Sequence, residues 1–131
     1  MAQHPVELIL MRQLASYLSV PVLIIGPDEQ LVYYNEAAES LVGRPYNVVG
    51  TIMLGDINTM FEVTDESGRP IDPDELPLTY AVRNHRPVHA RLMGKSLAGE
   101  ARHVEVTALP LQGQGGRWLG AAAIIWEANL P

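Results

Sequence analysis

The order of patterns along this chain predicts an α+β domain in which one antiparallel sheet is flanked by short helices. Three observations carry that expectation. Two short strand-like segments come first, an apolar, β-branched run at residues 20–25 and a second strand at 31–34, separated by a turn-forming Gly26-Pro27-Asp28-Glu29-Gln30. Three strand-like segments come last, at 88–93, 102–111 and 118–126. Between them lies a stretch dense in turns, prolines and helix starts, within a chain that holds ten prolines and eleven glycines.

The elements follow in order. Residues 6–18 read as an amphipathic helix with Leu10, Leu14, Tyr17 and Leu18 on one face and Arg12, Gln13 and Ser16 away from it; Ser19 and Pro21 stop it. Residues 20–25 are continuously apolar, as in a strand buried on both sides. Asn35 heads a helix of good formers closed by Gly43, the pairing of an oxygen-bearing cap with a C-terminal glycine. Residues 44–64 are the least legible; Ile52, Met53, Leu54, Ile57, Met60 and Phe61, with Gly50 and Gly55 between them, fit one or two short helices around a core.

Residues 68–88 are the most informative run. Asp65-Glu66-Ser67-Gly68 is turn chemistry, and Pro70 and Pro73 hold the backbone extended before them. Asp72 or Asp74 suits the cap of a helix in which Pro77 sits in the first turn. Leu78, Ala81, Val82 and His85 then share one helical face, and residues 84–87 end the helix. In the strands that follow, Val88, Ala90 and Leu92 oppose His89 and Arg91, while Val104, Val106 and Ala108 oppose His103, Glu105 and Thr107. Residues 113–116 make a glycine-rich turn, and 118–126 is apolar on both faces.

Composition bounds the function. At 131 residues, with 47% apolar and 18% charged, the chain forms one globular domain. A net charge of −6 without clustered Lys and Arg argues against nucleic acid. No apolar run approaches the roughly 20 residues that span a bilayer, and residues 6–11 carry Glu7 and no basic leader, so a cytoplasmic protein is expected. With no cysteine there is no disulfide, thiolate nucleophile or zinc-thiolate site. Gly113, Gly115 and Gly116 lie in a hairpin, so they are no nucleotide fingerprint.

Strand–strand–helices–strand–strand–strand is the element order of the PAS (Per-Arnt-Sim) sensory domains, and the chain resembles that family at three separated places. Residues 22–43 are similar to its opening hairpin and Asn-led helix. Gly68, Pro70, Asp74, Glu75, Pro77 and Ala81 match its G-x-P-x-x-x-D-E-x-P-x-x-x-A run. Pro110-Leu111, the glycine-rich turn and Leu119-Gly120-Ala121 are similar to its last hairpin. The likeness covers about residues 20–127. It implies a five-stranded antiparallel sheet of order 2-1-5-4-3 with short helices on one face. It also implies sensing by a small ligand between helices and sheet, or by pairing of two copies. The domain would then divide as an N-terminal helix at 1–19, a PAS domain at 20–127 and a tail at 128–131.

The candidate site residues follow from both readings. Met53, Met60, Phe61, Leu78, Val82, Leu92, Val106 and Ile124 would line an apolar ligand pocket, or would simply be core. The resemblance raises haem through His85, since some relatives use a histidine on the helix corresponding to residues 76–86; a histidine there also complements the helix dipole. Light-driven flavin chemistry of the cysteinyl kind is excluded by the lack of cysteine. Asp72, Asp74 and Glu75 raise an acid–base pair or a hard-cation site, but helix-start caps account for them. A last strand that is apolar on both faces needs a second cover, which is the N-terminal helix, its own or a partner's; a homodimer through that helix and the sheet is therefore expected.

A non-catalytic sensory and interaction module is the reading these observations favour. If the protein ends at Pro131 the signal passes to a separate partner; if not, an output region follows. The rival is a small cone-shaped enzyme or carrier resembling ketosteroid isomerase, which would need an acid or histidine on an inward strand position, whereas His89, His103 and Glu105 alternate outward.

Overall fold

A computed structural model describes residues 6–42, 52–56, 62–95 and 101–127. The elements are α1 (Val6–Tyr17), β1 (Val22–Ile25), β2 (Leu31–Tyr34), α2 (Glu36–Val42), β3 (Glu62–Thr64), a 3₁₀ turn (Pro73–Glu75), α3 (Pro77–Asn84), β4 (Val88–Lys95), β5 (Ala101–Gln112), a second 3₁₀ turn (Gln114–Gly116) and β6 (Trp118–Glu127). All strand pairs are antiparallel, and they form one sheet of order β2-β1-β6-β5-β4-β3. The sheet therefore has six strands where five were expected. The added strand, β3, pairs with the end of β4 at the edge of the sheet and makes a single bridge, Thr64 to Pro70, on its other side. Three residues carry too little alternation to be read from sequence, and they sit at the end of the least legible segment. The expected helix-closing Gly43 and the tail at 128–131 lie outside the described residues.

The last strand is central, between β1 and β5, as a strand apolar on both faces must be. On what we call the inner face, Ala121, Ala123, Leu23, Ile25, Val104, Val106, Ala108 and Leu92 pack with Leu78, Ala81 and Val82 of α3 and Ala38 of α2. On the outer face, Leu119, Ala122, Val22, Ile24 and Val32 pack with Leu8 and Ala15 of α1. Leu119 and Ala122 face the same side although three residues apart, because Gly120 interrupts the alternation. Gly120 has φ +120°, and a Cβ there would collide with the Ile25 carbonyl oxygen. Only glycine permits that approach.

The α1 helix covers the sheet as anticipated, but by a different face. Leu8 and Ala15 are buried and Met11 is partly buried, whereas Val6, Leu10, Leu14 and Tyr17 are exposed. The larger apolar stripe read from the sequence is the one turned to solvent. Polar contacts at both ends of α1, described next, set its rotation.

Candidate functional site

The strongest polar constellation joins α1 to the rest of the fold. Asn35, 1% exposed, ends β2 and caps α2 by accepting the Ala38 N–H at Oδ1 (3.0 Å). The same oxygen accepts the Val22 N–H at the start of β1 (3.1 Å). Its Nδ2 donates to the Ala15 carbonyl at the end of α1 and to the Val20 carbonyl, both at 2.9 Å. One buried carboxamide thus ties together the end of α1, the start of β1 and the start of α2.

At the other end of α1, Glu7 reaches the turn between β5 and β6. Its Oε2 accepts the Gln114 N–H (3.1 Å) and its Oε1 accepts from Arg117 Nη2 (3.3 Å). Its own backbone N–H, the Gln114 N–H and the Arg117 guanidinium hold the Glu7 carboxyl below the usual carboxylate range. Between the two ends, Arg12 lies over the Tyr33 ring, 4.9 Å from its centroid. Burial of Leu8 adds about 2 kcal/mol and of Ala15 less, so apolar packing and the buried Asn35 bonds hold α1 together, with the exposed Glu7 contact the weaker end.

The inner side of the sheet holds part of the expected pocket lining. Leu78, Val82, Leu92 and Val106 meet in one cluster. Ile124 does not: it packs on the outer face with the α1 cluster. Every described side chain from Leu119 to Ile125 is apolar or glycine, so sequence offered no cue to which of them faces which side. Met53 is exposed, bridged to Gln30 at the edge beyond β2. Met60 and Phe61 lie outside the described residues. In the first turn of α3, the buried Thr79 hydroxyl has no hydrogen-bond partner.

His85 leaves the buried face on which helical spacing placed it. The helix ends at Asn84, and His85 takes the left-handed conformation (φ 55°, ψ 38°) while its N–H still bonds the Ala81 carbonyl. Its ring is exposed and stacks on the Trp118 indole, with centroids 3.8 Å apart and planes at 13°. The carboxylates of the central run have local duties: Asp72 accepts the Asp74 N–H (3.0 Å), and Asp74 pairs with Arg83 (2.7 Å), which also reaches Glu29 (3.4 Å). Among the described residues no group of three or more His, Cys, Asp or Glu could hold a metal ion, and no helix is long and apolar enough to cross a membrane. The histidines and acid of β4 and β5 sit outward as expected, with His89 bonded to Thr107 (2.7 Å) and Arg91 to Glu105 (3.0 Å).

Solved structures decide what this architecture is. The PAS domain of BvgS from Bordetella pertussis superposes with a TM-score of 0.71 at 16% identity, over 96% of this chain and 89% of that one. The PAS domain of nitrogen regulation protein NR(II) from Vibrio parahaemolyticus gives 0.62 at 18% identity, over 91% and 98%. This chain has the PAS fold. A LOV protein from Rhodobacter sphaeroides shares it, with a TM-score of 0.69 at 11% identity over 95% of this chain and 69% of that one. No family model and no curated protein matches the sequence.

Within the PAS fold, sequence reasoning found the Asn35 cap but missed its amide half, the Glu7 contact and the His85–Trp118 stack. The glycines at 113–116 were the available signal for the Glu7 contact, since a tight turn leaves amides open to an approaching carboxylate.

Proposed function

We propose that this PAS-fold domain is a non-catalytic sensory and protein-interaction module of signal transduction, and that two copies pair through the outward stripe of α1. One observation carries the reading: α1 has two apolar faces, and the sheet uses one of them. Leu10 is 58% exposed, Leu14 53% and Tyr17 76%, in line with Val6. A helix apolar on both sides is normally covered on both sides. The spacing 6, 10, 14, 17 makes a continuous seam of the kind that pairs with a copy of itself about a two-fold axis. These four residues are uncharged, so pairing there brings no like charges of the seam together despite the net −6 of each chain.

The second part of the proposal is a small, mainly apolar ligand between α3 and the sheet, beside Leu78, Val82, Leu92 and Val106. It is favoured by the buried, unpartnered Thr79 hydroxyl, since such groups in folded proteins nearly always have a partner. The PAS and LOV neighbours support a sensory role. Ligand occupancy would act by changing how α1 sits on the sheet, which requires that the two α1 positions bind ligand differently.

Native mass spectrometry of the freshly purified protein tests both parts. We expect a dimer mass, and a small apolar adduct retained under gentle ionisation. A bare dimer would contradict the ligand, and a bare monomer at tens of micromolar would contradict the whole proposal.

A further inference from the structure

The turn between β5 and β6 touches a helix on each side of the sheet, α3 and α1. From the inner side, the His85 ring at the end of α3 stacks on Trp118. From the outer side, Glu7 of α1 is held by the Gln114 N–H and the Arg117 guanidinium. Arg117 and Trp118 are consecutive. The Gly113 N–H donates to the Arg117 carbonyl (2.7 Å) and the Gly116 N–H to the Gly113 carbonyl (3.2 Å), so the turn moves as a unit. A Cβ at Gly113 would lie 2.6 Å from Glu7 Oε2, so a larger residue there would displace the Glu7 carboxylate.

His85 is the unusual member. The left-handed position after a helix is one that glycine fills most cheaply, and a side chain held there needs a compensating contact. The flat stack on Trp118 is that contact. On the other side, the Glu7–Arg117 pair is open to water, with the Arg117 side chain 60% exposed, so it is weak and readily released. The buried Asn35 clamp at the far end of α1 is not.

We propose that the β5–β6 turn is a relay that couples the end of α3 to the docking of α1, with His85 and Trp118 as positioning residues and Glu7 as the receiving contact. A displacement at the end of α3 moves Trp118 and the turn with it, the Gln114 N–H and Arg117 shift away from Glu7, and α1 loosens from its amino end while Asn35 holds its carboxyl end. The relay gains its signalling meaning from the role proposed for α1 above, but the coupling itself does not require a second copy.

A double-mutant cycle on the full chain, read by hydrogen exchange of α1, β4 and β5 amides, tests it; the oligomeric state is measured on the same samples. His85→Gly removes the stack and gives the left-handed position its preferred residue. Cap physics alone predicts unchanged or slower exchange everywhere. The relay predicts α1 exchange faster by roughly threefold or more with β4 and β5 unchanged, a similar gain in Glu7→Gln, and a double variant no faster than the faster single one. Wild-type α1 exchange in His85→Gly, a rise that includes β4 and β5, or two effects that multiply would each overturn the relay. A monomer that passes the cycle would contradict the pairing proposal alone.

Discussion

At Asn35 a single carboxamide meets backbone groups of α1, β1 and α2, and half of that role was written in the sequence. The cap on Ala38 follows from an Asn placed directly before a helix of good formers. The Nδ2 bonds to Ala15 and Val20 do not, because backbone carbonyls 15 and 20 residues away leave no side-chain trace. Asn35→Ala would leave buried backbone groups unpaired and remove the cap, which we expect to cost about 3 kcal/mol in urea unfolding. Asn35→Asp would set carboxylate oxygen against carbonyl oxygens. That carboxyl would hold its proton more tightly when folded than when unfolded, so the variant should regain stability as pH falls and lose it as pH rises. His85 illustrates the opposite failure of pattern reading. Spacing of three and four residues placed it with Leu78 and Val82, but Pro87 forces the residue before it out of the helical region, so the chain must turn away by then.

The elements were legible where one polarity alternates with another, as in β4 and β5, and less so where every position is apolar. For β6 the pattern gave burial on both faces but no parity, and the Gly120 bulge makes its sides unequal. For α1 the choice lay between two apolar faces. The smaller one docks because Glu7 and the carbonyl of Ala15 must meet fixed partners at the turn and at Asn35, and that sets the rotation. The Glu7 end also makes α1 docking depend on pH. Its carboxyl is depressed in the folded state, so the contribution is present above the ordinary glutamate range and is lost as pH falls through the depressed folded value. Relative to the intrinsic rate at each pH, exchange of the α1 amides beyond the first turn should therefore quicken on acidification in the wild type. In Glu7→Gln it should already be fast and lack that step.

On the scale of the whole molecule, the fold is a central apolar strand covered twice, by α3 and α2 on one side and by α1 on the other. That arrangement was legible because each layer has its own local cause: a β-branched run for β1, an apolar and aromatic one for β2, Pro77 in the first turn of α3, and glycines that close the last hairpin. The expected carboxylate cap on α3 is not formed, since Leu76 stands at its N-cap and Asp72 instead accepts the Asp74 N–H in the 3₁₀ turn before it. The edge strand β3 was not, since its pairing to β4 depends on distant register alone. What distinguishes the molecule is that its outer cover is itself apolar on the outside, and self-pairing through that stripe is the central functional claim.

The lack of native cysteine allows a direct measurement. Leu14→Cys places one thiol in the middle of the stripe, and Glu66→Cys places one on the exposed turn before Gly68. Under mild oxidation, pairing through α1 predicts that Leu14→Cys becomes a disulfide-linked dimer at low micromolar concentration, because only a facing copy brings two such thiols within bonding distance, while Glu66→Cys stays monomeric on denaturing gels. Equal cross-linking at both positions, or none at Leu14→Cys, would contradict it.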